Sequence, residues 1–197
     1  MAWWRKSKER FEEQIEAALD AEDLGRARSL VAKAVATYPE DGFFHLLRGD
    51  VALESGLIRE AARAYERALE FDAPDTPDTP DHDKERDRAD ARREYQVAAW
   101  AALADARLEL ADFAGAEHAI DAAMSLAPKE ATLHYLRAVL FELTKRQRPA
   151  EEAYAKAARL DPERYFRPHR VSSEAFDGAL RAAIEELPED LAEALAG

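Results

Sequence analysis

The chain has 197 residues, no cysteine and a formal net charge of −13 at pH 7. This length suffices for a hydrophobic core without a covalent staple, and the lack of cysteine excludes disulfides and thiolate metal sites. The acidic balance argues against nucleic acid as a partner, because nucleic-acid-binding proteins usually present a basic face to the phosphates.

The N-terminal segment carries positive charge but lacks the apolar stretch of a signal peptide. Nowhere does the sequence reach the roughly 20 apolar residues that a membrane helix needs. We therefore expect a soluble, cytoplasmic protein with no membrane partner. Trp3 and Trp4 suit either an exposed anchor for a partner or a lid on the first helical hairpin.

A 34-residue period runs through the sequence, and internal repeats of this kind are typical of solenoid proteins. Alanines and prolines recur at that spacing in two blocks of the chain. Five pairs lie 34 residues apart: Ala27 and Ala61, Ala34 and Ala68, Ala116 and Ala150, Ala123 and Ala157, and Pro128 and Pro162.

Residues 58–71 indicate how each repeat folds. Ile58, Ala61 and Tyr65 fall on one stripe of a helix, and the preceding residues carry a similar stripe. Gly56 is suited to end that preceding helix. The unit is therefore a helix, a short turn and a helix, and such a hairpin must stack on its neighbours to bury its apolar face.

These positions resemble the tetratricopeptide repeat. The resemblance implies an all-α solenoid of about four helical hairpins over residues 1–162, with a degenerate first unit that can act as a cap. In the first unit Ile15 stands where a small residue is usual, and in the second Pro74 falls one place late. The matching residues are Ala27, Ala34 and Pro39; Gly49, Ala61, Tyr65 and Ala68; Trp100, Leu103, Ala104, Ala116, Ala123 and Pro128; and Ala138, Phe141, Ala150, Tyr154, Ala157 and Pro162.

The period breaks once, between Ala61 and Ala116, where 21 extra residues are inserted. Prolines and aspartates occupy residues 73–83, and we expect an acidic loop there because proline donates no backbone hydrogen bond. The helical pattern resumes at about Lys84. The following charged residues are expected to form a solvated helical extension: Asp87, Arg88, Arg92 and Arg93.

No arrangement of residues indicates catalysis, a cofactor or a metal ion. None of the five histidines lies four residues from another, so no helix presents a zinc-binding pair. His82 lies among aspartates, but their spacing does not match a calcium loop. His45 and His134 occupy equivalent places in two units, which repeat packing explains more simply than metal ligation. We therefore expect that this chain is not an enzyme.

In tetratricopeptide proteins the first helix of each unit lines a concave surface that holds an extended peptide or a helix. The resemblance carries this role to residues that are apolar or acidic. A basic or amphipathic partner would suit them, or else the acids only keep the surface soluble. The first unit would add Glu9, Glu12, Glu16 and Asp20. The candidate partner-binding residues are Phe43, Leu46, Asp50, Leu53, Glu54, Ala101, Asp105, Leu108, Glu109, Tyr135, Val139, Glu142 and Leu143.

Residues 163–170 are expected to be a linker, and residues 171–197 a C-terminal helical extension. Ser172 is a suitable N-cap, and apolar residues follow it at helical spacing. A second short helix would come next, with Leu191 and Leu195 on one face.

The same extension also resembles the start of a bacterial zincin-like metallopeptidase domain. The resemblance rests on the Ser-capped helix with Phe176, Ala183 and Leu187, and on the second short helix. Catalysis in that family needs a His-Glu-x-x-His motif, which this chain lacks. The leading hypothesis is a scaffold that holds another protein or peptide. The alternative is the recognition region of a zinc metallopeptidase whose catalytic part lies outside these residues.

Overall fold

The computed structural model describes residues 3–71 and 82–188, with side chains described over 7–71 and 89–188. The chain divides into two compact units, Met1–Phe166 and Arg167–Gly197. Over the described ranges the structure is helical and contains no strand. No helix in those ranges is long and apolar enough to span a lipid bilayer.

The first unit consists of helices that pair in chain order into four hairpins. The two helices of each hairpin contact each other, and each hairpin contacts the next. The predicted fold class, an all-α solenoid of helical hairpins with a C-terminal helical extension, is confirmed. The helices are α1 (Trp3–Asp20), α2 (Leu24–Thr37), α3 (Gly42–Glu54), α4 (Ile58–Leu69), α5 (His82–Glu109), α6 (Phe113–Leu126), α7 (Ala131–Leu143) and α8 (Gln147–Leu160).

Each of the four hairpins turns through one residue in the left-handed region of the backbone. These residues are Glu22 at φ 54°, Gly56 at φ 70°, Ala111 at φ 56° and Lys145 at φ 60°. They lie 34, 55 and 34 residues apart, so the backbone repeats both the period of the sequence and its interruption. A residue with a Cβ is strained in this conformation by about 1–2 kcal/mol. Only the second hairpin avoids that strain with glycine.

Small residues at the repeat positions allow the helices to pack closely. Ala27, Ala61 and Ala116 are fully buried. One hydrophobic cluster joins the second, third and fourth hairpins and includes Leu103 and Ile120. A second cluster, formed mainly by residues of α1, α2 and α3, joins the first hairpin to the second. The core is therefore a series of contacts between neighbours, as expected for a stacked repeat.

Helix α5 begins at His82 and extends over 28 residues to Glu109. The expectation of a loop through residue 83 is therefore wrong at its last two residues, because no proline follows Pro80 to prevent a helix. Residues 73–81 of the expected loop lie outside the described residues, as do the side chains of Asp87 and Arg88. Arg92 and Arg93 are exposed, as predicted.

Tyr95 is a buried residue of α5 that the repeat pattern did not single out. Its hydroxyl group donates a 2.8 Å hydrogen bond to the carbonyl oxygen of Ala68. Burial raises the pKa of this phenol, and the charge of Asp41 adds to the effect. The bond fastens the middle of α5 to the end of α4.

The second unit contains α9 (Ser173–Glu185). The predicted N-cap is confirmed, because the Ser172 hydroxyl oxygen accepts a 3.1 Å hydrogen bond from the Ala175 backbone N–H. Phe176 and Leu180 are exposed. The predicted helix carrying Leu191 and Leu195 lies outside the described residues.

Candidate functional site

The first helices of the last three hairpins form one continuous row. Helix α5 contacts both α3 and α7. In the part of the chain that the structure describes, the second helices α4, α6 and α8 make no comparable contact with one another. Helices that converge in a stacked array lie on its concave side, and those that diverge lie on its convex side. We call the exposed side of the α3–α5–α7 row the inner surface.

Most of the candidate partner-binding residues keep some exposed area on this row. Leu108 differs, because it is 7% exposed and packs within the main hydrophobic cluster, so it offers almost no area to a partner. Half-buried members are Phe43, Leu46, Asp50, Leu53, Ala101, Asp105 and Val139. Exposed members are Glu54, Glu109, Tyr135, Glu142 and Leu143.

The acidic part of the inner surface is organised around Tyr65. This residue belongs to α4, and its ring passes beneath α3 at Gly49, where an added Cβ would overlap the ring. The Tyr65 hydroxyl group then donates a 2.9 Å hydrogen bond to the carboxylate of Asp50. Burial raises the pKa of Asp50, the hydrogen bond from Tyr65 opposes that rise, and the charge of Glu54 adds to it.

Acidic side chains of α3 and α5 meet at the same tyrosine. The pKa of Tyr65 is raised, mainly by burial of the phenol. The negative charges of Asp50, Asp105 and Glu54 raise it further. Burial also raises the pKa of Asp105. The structure therefore brings Asp105 of α5 to Asp50 and Glu54 of α3, and Asp50 and Asp105 are partly removed from water.

The fourth hairpin carries an aromatic group at its end of the inner surface. Tyr154 of α8 donates a 2.7 Å hydrogen bond from its hydroxyl group to the carboxylate of Glu142. The ring of Tyr135 meets that of Tyr154 edge-on at 5.7 Å and lies 5.1 Å from the ring of Tyr165. Tyr165 donates a 2.9 Å hydrogen bond to the Thr132 hydroxyl group. Of the candidate residues at this end of the surface, Glu142 carries a carboxylate and Tyr135, Val139 and Leu143 are uncharged.

The hydroxyl groups of Tyr65 and Tyr154 are the site groups that sequence reasoning missed. Both residues appeared in the sequence only as packing positions of the repeat. An acid on the preceding helix was the available signal, because Asp50 lies 15 residues before Tyr65 and Glu142 lies 12 residues before Tyr154.

The acids proposed for the first hairpin lie in a different setting. Glu12 of α1 is half-buried, and burial raises its pKa, which the nearby charge of Lys8 opposes. Lys8 in turn forms an ion pair with Asp41, the N-cap of α3. Glu9, Glu16 and Asp20 are exposed on α1.

The two equivalent histidines fill a packing role. The Nε2–H group of His45 donates a 2.9 Å hydrogen bond to the carbonyl oxygen of Pro39, and that of His134 donates one of 3.0 Å to Pro128. Burial lowers the pKa of His134. Among the residues that the structure describes, no group of three or more His, Asp or Glu side chains could hold a metal ion.

Comparison with known proteins agrees with this architecture. Residues 131–164, which contain α7 and α8, match the sequence model of the tetratricopeptide repeat. No curated protein sequence matches the chain.

Three solved structures illustrate the likeness of fold. A crystal structure of MamA has a TM-score of 0.58 at 18% identity, over 75% of this chain and 74% of that one. A chain of the APC/C hetero-tetramer Cut9–Hcn1 has a TM-score of 0.63 at 16% identity, over 78% of this chain and 27% of that one. The C-terminal TPR-containing domain of a Plasmodium falciparum protein has a TM-score of 0.52 at 20% identity, over 62% and 78%. These matches show a likeness of fold, and the repeat at residues 131–164 is the part of the chain that matches the tetratricopeptide model.

Proposed function

We propose that the chain is a protein-interaction scaffold whose inner surface holds a basic or amphipathic segment of a partner protein. The observation that carries this proposal is the row of α3, α5 and α7, along which half-buried apolar side chains lie beside carboxylates. The tetratricopeptide match at residues 131–164 supports a role in binding protein rather than in catalysis.

The apolar residues supply the contact area. Leu46, Leu53 and Val139 pack against the main core cluster with one side and keep part of the other side exposed. Tyr135 and Leu143 are 39% and 49% exposed. Large apolar side chains that keep exposed area on α3 and α7 favour a partner that also contributes apolar surface.

The carboxylates give the inner surface its negative charge. Asp50 and Asp105 both have a raised pKa because burial disfavours their charged forms. A lysine or arginine of a partner would stabilise those charged forms, and the ligand would gain the same interaction energy in return. No candidate residue of the inner surface is basic, so a segment rich in acids would meet repulsion.

A charge-reversal pair tests this proposal. The probe is a synthetic amphipathic helical peptide of lysine and leucine, and binding is measured by fluorescence anisotropy. Glu54→Lys with Glu109→Lys, both exposed on first helices, should weaken binding by about tenfold or more. Leu143→Ala, which removes exposed apolar area only, should weaken it by about threefold.

The matched control reverses the same number of charges outside the first helices. Glu151→Lys with Glu163→Lys alters two exposed acids outside the three first helices and should leave binding nearly unchanged. An equal loss in both pairs would mean that the acids act only through net charge and keep the surface soluble. That result would contradict the proposal.

The zincin-like resemblance of residues 171–197 provides a second candidate, in which the array selects substrates for a zinc peptidase. The described part of α9 exposes Phe176, Leu180 and Ile184, an apolar row that a larger domain would cover. The test is the source gene beyond the codon for Gly197. A reading frame that continues into His-Glu-x-x-His, with zinc in the longer protein, would support this candidate. A stop codon at that point would refute it.

A further inference from the structure

A cavity lies against the second helix of the second hairpin, apart from the residues of the inner surface. Its volume is about 850 Å³, which is in the range of ligand-binding clefts. Arg59, Arg63 and Arg67 of α4 line it together with Arg48 of α3, and Glu60 is the one acidic residue among the lining residues. We call it the arginine cavity. Four arginines at one place are unusual in a chain whose net charge is −13.

Three of these arginines form a row along α4. They follow one another at intervals of four residues, so their side chains leave the same face of the helix. A rise of about 1.5 Å per residue places successive arginines about 6 Å apart along the axis. In an extended peptide, side chains on one face are about 6.7 Å apart. An extended segment with acids at alternate positions therefore matches the row.

Two of the guanidinium groups are available for a ligand. Glu60 is already engaged, since it lies 3.0 Å from Arg48 and 3.8 Å from Arg28. Arg67 forms an ion pair with Glu70. Neither Arg59 nor Arg63 has an ion pair within the described ranges, and both are exposed.

Other parts of the cavity favour a peptide over a free ion. Leu57, Ile58 and Leu110 line it and provide apolar area beside the charges. The guanidinium group of Arg67 lies 4.5 Å from the ring centre of Phe71, which holds it in place at one end of the row. Backbone and side-chain methylene groups of a peptide could contact the apolar residues while its carboxylates meet the arginines.

We propose that the arginine cavity binds an extended acidic segment of a partner protein, with carboxylates at alternate positions. This is a second docking surface, opposite in charge to the inner surface. A protein segment fits better than nucleic acid, because a continuous polyanion would extend beyond the row and be repelled by the acidic remainder of the chain. One scaffold could then hold a basic and an acidic segment at the same time.

The test uses the full chain and a short peptide that alternates glutamate with serine. Arg59→Gln with Arg63→Gln should weaken binding of this peptide by about tenfold, measured by fluorescence anisotropy. Arg148→Gln with Arg159→Gln is the matched control, because it removes the same charge from exposed positions of α8. This control pair should change the affinity by less than about twofold. Circular dichroism checks that both variants keep the fold.

The proposal would be overturned by equal weakening in both variants, by no weakening in either, or by tighter binding of a short oligouridylate than of the acidic peptide. An affinity for inorganic phosphate alone that equals that for the peptide would also overturn it, because the apolar lining would then contribute nothing. The Arg59→Gln, Arg63→Gln variant should still bind the lysine–leucine peptide, so this proposal and the proposed function can fail separately.

Discussion

The second and fourth hairpins place the same tyrosine at different depths. Tyr65 and Tyr154 lie 89 residues apart and hold the same position in the second helix of their hairpins. Tyr65 faces Gly49 and is fully buried, whereas Tyr154 packs with Ala138, the equivalent of Gly49, and is 5% exposed. The facing helix thus carries one more methyl group at the ring of Tyr154 than at the ring of Tyr65.

The two hairpins also place the acceptor differently. Asp50 accepts the hydrogen bond from Tyr65, but the equivalent position in the fourth hairpin is Val139. Glu142, three residues further along α7, accepts the bond there instead. The repeat keeps the donor in place, and the acceptor moves by about one turn. The comparison shows that a shared scaffold can display carboxylates at different points of the inner surface.

The largest expected effect comes from filling the space above Tyr65. Gly49→Ala forces a Cβ into the ring of a fully buried tyrosine, and such overpacking costs about 1–3 kcal/mol. We expect the free energy of unfolding to fall by about 2 kcal/mol, measured by urea denaturation. Ala138→Gly is the counterpart in the fourth hairpin and should cost about 1 kcal/mol through helix propensity, with up to about 1 kcal/mol more for the loss of a buried methyl group. A Gly49→Ala variant as stable as the wild type would contradict the close approach of ring and helix.

Removing the two hydroxyl groups compares the loss of a donor to a half-buried carboxylate with the loss of a donor to an exposed one. Tyr65→Phe leaves the half-buried carboxylate of Asp50 without its donor and should cost about 1–2 kcal/mol in denaturation experiments. Tyr154→Phe should cost less than about 1 kcal/mol, because water can reach Glu142. Equal losses would show that the depth of the ring does not matter.

The hairpin turns provide a pair of changes with opposite signs. Gly56→Ala introduces a Cβ at φ 70° and should lower the free energy of unfolding by about 1 kcal/mol. Lys145→Gly relieves the strain at φ 60° and should raise it by a few tenths to about 1 kcal/mol. Thermal unfolding monitored by circular dichroism measures both. A change of the same sign at the two turns would contradict the left-handed assignment at one of them.

The smallest expected effect is a dependence on pH at Asp50. Its folded pKa is raised by burial, so the group adds stability that is complete below its ordinary value of 3.8 and is lost as the pH rises through the raised value. Asp50→Asn keeps an oxygen for the Tyr65 hydroxyl group and does not titrate. The variant should be slightly more stable than the wild type at neutral pH, by less than about 1 kcal/mol, and this advantage should disappear in acid. An advantage that grows on acidification would contradict the direction of the shift.

The spacing of small residues predicted the architecture because repeat packing depends on residue size at fixed intervals. Ala61, Ala116 and Ala150 identified the hairpins, and Gly56 identified one turn. The turns at Ala111 and Lys145 gave no such signal, because tertiary packing holds ordinary residues in the left-handed conformation there. Helix α5 begins at His82, earlier than predicted. The charged residues at its start are compatible with a helix but do not mark its first residue.

The inner surface could be predicted only in outline. The resemblance to the tetratricopeptide repeat assigned the candidates to the first helices, but it did not indicate that Leu108, near the end of α5, is buried in the main core cluster. The meeting of Asp50 and Asp105 around Tyr65 depends on the angle between neighbouring helices, which a single sequence does not encode in any local pattern. The arginine cavity was missed because Arg59, Arg63 and Arg67 look like an ordinary solvated face.

The position of helix α3 between two hydrophobic clusters affects how local unfolding spreads along the array. Phe44, Leu47 and Val51 belong to the cluster of the first hairpin, while Ala52 belongs to the cluster that continues through the rest of the array. Among the described residues each hairpin packs chiefly against the next, so an opening that starts at the N-terminal end passes through this helix before it reaches the others. We therefore expect a local unfolding event in the first hairpin to reach the other hairpins through α3, the helix that also carries Asp50.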